Sequence, residues 1–122
     1  MDWTRPTTQL LGRFQPWHRG HLELFKRGIS KTGQVVILLR KEDGTDSNPY
    51  NFGERVKFIS EDLKKHGFTR TLDYDIVEVP NITHITYGRD VGYKIEQEHF
   101  DKEIEDVSAT EIRNGLYKEN SS

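Results

Sequence analysis

A chain of 122 residues with 18 Lys and Arg against 20 Asp and Glu, a net charge of −2 and no cysteine has room for one hydrophobic core but not for two. It excludes disulfides, thiolate nucleophiles, Cys-ligated metal and a global basic field that would recruit nucleic acid. No apolar stretch approaches membrane-spanning length and no signal-peptide pattern opens the chain, so a soluble cytoplasmic protein is the default expectation.

Mean hydropathy is low, −0.81, yet the apolar residues gather in periodic blocks. In chain order, Thr7 to Phe14 reads as a first strand, and His21 to Lys31 places Leu22, Phe25 and Ile29 at helical spacing, with Gly33 as the stop. Gln34 to Arg40 is a continuous β-branched and leucine run, as in a central parallel strand covered on both faces. A polar loop, Lys41 to Asn51, leads to a second amphipathic helix, Phe52 to His66, which carries Val56, Ile59 and Leu63 and ends at Gly67. Asp73 to Val79 alternates like a strand, Pro80 and Asn81 break it, and His84 to Tyr87 reads as a short strand ending at Gly88. Val91 to Gln97 fits either a strand or a turn of helix, and Ser108 to Leu116 fits a last short helix.

This β-α-β-α-β order with right-handed crossovers predicts an α/β fold, a single Rossmann-like, doubly wound parallel sheet with helices on both faces. The expected domain is 1–122, with 1–6 (including Trp3) and 118–122 as flexible ends. Ligands in such sheets bind outside the carboxyl ends of the strands. The sequence GRFQPWHRGH, Gly12 to His21, falls at one such end. Two histidines three apart at a helix start lie on one face, so His18 and His21 address the same small region, while the helix N-terminus offers free amides and partial positive charge to an anion. Gly12 and Gly20 permit a tight turn and close ligand approach, and Pro16 restricts the turn beforehand. The plainer reading is that the histidines solvate or cap the helix.

This run resembles the HxGH nucleotidylyltransferases, and its full GRFQPxHxGH form is most similar to the archaeal-type nicotinamide mononucleotide adenylyltransferases. A second block, NPYNFGER from Asn48 to Arg55, is similar to a segment of the same enzymes, although Asn51 and Glu54 also form a capping box and Arg55 would suit a solvated helix face. The family pattern places an arginine just before this segment where this chain has Ser47, which leaves Arg40 or Lys41 to contact phosphate. A third block, SATEIR from Ser108 to Arg113, is similar to the family's second signature, and Ser108 with Glu111 is again a capping box.

The resemblance implies nucleotide contacts from Gly12, Arg13, Phe14, Gln15, Gly20, Ser108 and Thr110, with His18, His21 and Arg113 catalytic. Gly88 and Arg89, in YGRDVGY, are further nucleotide-binding candidates; Arg55, Trp17 and Asp90 are candidate phosphate or acceptor contacts, although Arg89 with Asp90 is equally a surface ion pair and Trp17 equally a packing residue. His66, His84 and His99 have no partner pattern and read as surface or packing residues.

No Ser-His-Asp set, cysteine or paired carboxylate suggests a covalent or general-base route, and none is required. A phosphate monoester, with a second pKa of about 6, is already largely ionised at neutral pH and can attack an α-phosphorus directly. Positioning and charge stabilisation then suffice, with Mg²⁺ carried by the triphosphate. The expected partners are ATP, ahead of CTP, and a small phosphorylated acceptor resembling nicotinamide mononucleotide; neither nucleic acid nor membrane is expected, and a homo-oligomer is compatible. Three alternatives stay open: a cytidylyltransferase using CTP and a phospho-alcohol such as glycerol 3-phosphate, to which the short chain is similar in size, a non-catalytic nucleotide-binding module, and a metal-binding protein using His18 and His21. Two histidines without a third ligand fit a metal site poorly.

Overall fold

A computed structural model describes residues 1–42, 44–89 and 92–98. Three strands and two helices alternate along it: β1 (Thr8–Gly12), α1 (Arg19–Thr32), β2 (Val35–Arg40), α2 (Phe52–Lys65) and β3 (Tyr74–Val79). The strands form one parallel sheet in the order β1-β2-β3, with Leu10, Ile37 and Ile76 in register across it. It is an α/β, Rossmann-like arrangement, and the strand and helix boundaries lie within two residues of those read from the sequence.

Helix α1 ends at Gly33, whose φ of 81° is the left-handed conformation that glycine adopts without cost. Its Gly28 lies so close to the sheet that an added Cβ would stand 2.9 Å from a Val35 methyl and 3.1 Å from a Thr8 methyl. Helix α2 starts with the capping box read from the sequence, Asn51 and Glu54 exchanging side-chain and backbone bonds. The core is Leu10, Leu22, Phe25, Val35, Ile37, Leu39, Ile59, Leu63, Tyr74 and Ile76, joined at the site end by Phe14 and Trp17. Phe25 of α1 meets Tyr74 of β3 and Phe68, just beyond α2, edge to face. Both helices therefore cover the sheet face that carries Leu10, Ile37 and Ile76.

Two expectations change. The continuous apolar run of β2 predicted equal cover on both faces, but burial alternates: Val35, Ile37 and Leu39 are buried, whereas Val36 and Leu38 are half-buried. With strand order β1-β2-β3, both crossovers advance in the same direction, and right-handedness puts α1 and α2 on the same side. The short strand expected at His84 to Tyr87 does not form. Residues 80–87 carry no strand pairing, and Ile85 and Tyr87 are exposed, so among the described residues period-two alternation there has no neighbouring strand to complete its ladder. Residues 92–97 likewise form neither strand nor helix. The last expected helix, 108–116, lies outside the described residues.

The amino-terminal arm, expected as a flexible end, is hydrogen-bonded to buried Gln34 at the start of β2. The Gln34 amide donates to the Asp2 and Arg5 carbonyls and the Thr7 hydroxyl, and accepts from the Asp2 N–H. Among the described residues, no helix is long and apolar enough to cross a membrane.

Candidate active site

The turn between β1 and α1 is shaped by Phe14, a bulky residue at φ 51° that follows strand β1. That left-handed backbone is uncommon for a side chain of this size and is held by its surroundings. The Phe14 ring packs over Gly12, where a Cβ would come within 3.1 Å of it, and stands edge-on to His21 at 4.7 Å. A cis peptide joins Gln15 to Pro16. Trp17 is buried against Phe14 and His21, and its indole N–H donates to Asp62 on α2 at 2.8 Å. Trp17 thus anchors the turn to α2.

His18 is the N-cap of α1 and His21 is the third residue inside it. Their rings stack with centroids 3.8 Å apart. The Gly20 N–H donates to His18 Nδ1 at 3.0 Å, and the His18 N–H donates to His21 Nδ1 at 3.1 Å. The histidines therefore build a capping box from imidazoles, in which the Gly20 and His18 amides are taken up by the two rings themselves. The same bonds determine the tautomers: a nitrogen that accepts an amide proton carries none, so each neutral ring bears its proton on Nε2.

Protonation of either ring would set an N–H against an N–H. Burial acts in the same sense, lowering His18 from 6.5 to about 4 with help from the Arg19 charge, and lowering His21 to about 3 with help from His18. At neutral pH the site presents two uncharged Nε2–H donors.

Positive charge comes from the strand ends. Arg13, after β1, donates to the Asn48 amide oxygen at 3.3 Å, and its Nε lies 3.8 Å from Glu42 Oε2. Arg40, at the end of β2, places Nη2 3.4 Å from the same Oε2 and donates from Nη1 to the Ile82 carbonyl. The Lys41 ammonium lies 4.0 Å from Glu78 Oε2.

Two candidates hold the scaffold of the site together. Gln15 is buried; its amide donates to the Glu42 and Tyr50 carbonyls and accepts from the Tyr50 N–H, all at 2.8–2.9 Å, fastening the loop after β2 to the turn after β1. Arg55, expected either to touch phosphate or to face solvent, is fully buried. Its Nη1 donates to the Arg13 carbonyl at 3.0 Å and the Arg40 carbonyl at 2.9 Å, clamping the two strand ends that carry the site arginines. Its Nε also donates to the Asn51 carbonyl, at 3.4 Å. Gly88 and Arg89 lie in the exposed stretch after β3. Asp90, Ser108, Thr110 and Arg113 lie outside the described residues.

Sequence reasoning missed Glu42 and Asp62 as parts of this constellation, and Asn48 was read only as the head of the second block. Glu42 carried a signal of its own, the i, i+2 spacing from Arg40 at a strand end, which favours one face.

The cytidylyltransferase-like family model matches residues 10–106. A nicotinamide-nucleotide adenylyltransferase from Saccharolobus solfataricus is 38% identical over 73 residues, covering 58% of this chain and 42% of that protein. Its counterpart from Sulfurisphaera tokodaii is 29% identical over 138 residues, covering 91% of this chain and 79% of that protein. Among solved structures, a bifunctional NMN adenylyltransferase/ADP ribose pyrophosphatase from Francisella tularensis, complexed with AMP and a manganese ion, superposes with a TM-score of 0.53 at 29% identity, over 62% of this chain and 22% of that one. The matched region thus spans well under two thirds of the first of these relatives and of the solved structure.

Proposed function

The chain belongs to the cytidylyltransferase-like family, and from that premise we propose that it transfers AMP from ATP to a small phosphorylated acceptor of the nicotinamide mononucleotide kind, releasing pyrophosphate. Similarity to proteins named nicotinamide-nucleotide adenylyltransferases favours ATP over CTP. The observation that carries the reading is the pair of stacked, neutral histidines anchored through Nδ1. Such a pair serves poorly as a base and well as a fixed double donor.

The acceptor's ionised phosphate oxygen attacks the α-phosphorus in line, the α–β bridging bond breaks, and pyrophosphate leaves with the electron pair. His18 and His21 donate from Nε2 to the non-bridging oxygens on which charge develops, and being preorganised they need little rearrangement to do so. Arg13 and Arg40 supply fixed positive charge beside the phosphates, while Arg113, Ser108 and Thr110 are assigned to the β- and γ-phosphates. Mg²⁺ carried by the triphosphate would neutralise its charge, with mostly water and phosphate ligands.

The test is a pyrophosphate-release screen of ATP and CTP against phosphorylated acceptors, including glycerol 3-phosphate, followed by turnover of an α-thio nucleotide of known configuration. Direct attack inverts phosphorus; net retention would rule it out. Release with CTP alone would overturn the choice of ATP, and binding without turnover would leave a nucleotide-binding module.

A further inference from the structure

Two buried polar atoms at the strand ends make no hydrogen bond: Glu42 Oε2 and Arg40 Nε. Both belong to the same small group, in which one carboxylate oxygen lies 3.8 Å from Arg13 Nε and 3.4 Å from Arg40 Nη2. Two guanidinium groups converging on one oxygen would ordinarily make short, aligned bonds of about 2.7–2.9 Å. Here the charges are close but the contacts are long. Buried orphans of this kind call for an explanation.

The backbone around Glu42 is held, since its carbonyl accepts from buried Gln15 at 2.8 Å. The Arg40 carbonyl is held by Arg55 in the same way. The backbone at the strand ends is thus held, and the Glu42 side chain can still turn about its own torsions. A carboxylate has two oxygens in a plane and a single charge; a phosphoryl group has three oxygens in a tetrahedral array and up to two charges, and matches two guanidinium forks better.

We propose that Glu42 is a resident counter-ion for Arg13 and Arg40, occupying the point at which a phosphoryl oxygen of a substrate binds, and that it swings out when the phosphoryl group enters. Arg40 Nε then gains the acceptor it lacks, and the displaced carboxylate turns to water. The inference rests on the phosphate-transfer reading of this site and adds a regulator to it: Glu42 sets a threshold that a phosphoryl dianion passes and a monoanionic carboxylate does not. The phosphoryl group comes either from the triphosphate or from the acceptor, and the chemistry at the arginine pair is the same.

Calorimetry with inorganic pyrophosphate and inorganic phosphate tests the displacement without turnover. Glu42→Gln keeps the side-chain shape and removes the competing charge, so both anions are expected to bind about fivefold more tightly, equivalent to about 1 kcal/mol for a partly exposed ion pair. Glu42→Asp, which draws the carboxylate back by one methylene, is expected to give a smaller gain of the same sign and guards against misfolding of the first variant. Where Arg40 is already replaced by Met, Glu42→Gln should gain much less, a non-additivity that a purely structural role for Glu42 would not produce. In turnover, a fall in KM for ATP alone assigns the triphosphate as the source, and a fall in KM for the acceptor alone assigns the acceptor.

Unchanged or weaker anion binding in both Glu42 variants overturns the proposal. Tighter anion binding in a protein that turns over no nucleotide would retain the arginine subsite and reject the proposed reaction, so the two failures are distinguishable.

Discussion

His18 and His21 show how residues that read as ligands to an anion are first ligands to their own helix. Their Nδ1 atoms accept backbone protons, and this commitment orients the opposite nitrogens. If charge stabilisation is their work, His18→Ala should lower kcat by about 10²–10³-fold, the range for removing one preorganised transition-state donor. The KM for ATP should change much less, because the arginines still hold the phosphates. Steady-state kinetics separates the two parameters; a rise in KM with kcat intact would make His18 a binding residue only. The histidine motif was legible because its spacing is local. The roles of Gln15 and Arg55 were not, since their partners lie 27, 35 and 42 residues away in sequence.

At the scale of elements, the site depends on how closely α1 lies against β1 and β2. Gly28 sits at that contact, and two effects oppose each other on Gly28→Ala. Helix propensity favours alanine by about 1 kcal/mol, while forcing a methyl to 2.9 Å from Val35 and 3.1 Å from Thr8 costs about 1–3 kcal/mol of overpacking. Both neighbours are β-branched and stiff, so overpacking should win and the urea midpoint should fall. Gly53→Ala is the control: its nearest atom would be Asn51 Oδ1 at 3.5 Å, an ordinary contact, and a gain of about 0.4–1 kcal/mol is expected. Equal effects at the two glycines would show that helix propensity, not packing, governs α1. The packing of Gly28 was invisible in sequence, where a glycine inside a helical pattern reads only as a weakness.

For the whole molecule, the two histidines couple the site to stability. Their folded values, about 4 and about 3, lie below the ordinary 6.5, so between those values the unfolded chain binds more protons than the folded one. Their contribution is fully present above pH 6.5, is lost progressively as pH falls through 6.5 toward 4 and 3, and levels off below. Urea denaturation between pH 8 and pH 4 should show the midpoint falling on the acid side. His21→Asn keeps an acceptor near the position of Nδ1 but cannot titrate, and should flatten part of that fall. An unaltered acid slope in this variant would place the pH dependence in the carboxylates instead.

The sequence by itself determined the alternation of strands and helices, the capping boxes and the histidine turn, because each rests on contacts within a few residues and on a periodicity of two or 3.6. It also carried the family resemblance, through runs of adjacent residues. Tertiary structure decided the rest. Strand order placed α1 and α2 on one face and left Val36 and Leu38 half-buried; 84–87, without a partner strand among the described residues, stay out of the sheet; and the meeting of two strand ends put Arg13 and Arg40 on a single oxygen of Glu42. None of these is a property of a local window. A side chain's donors go to whatever acceptor the fold brings within 3 Å, so Arg55, surface-like by sequence, became a buried clamp between β1 and β2.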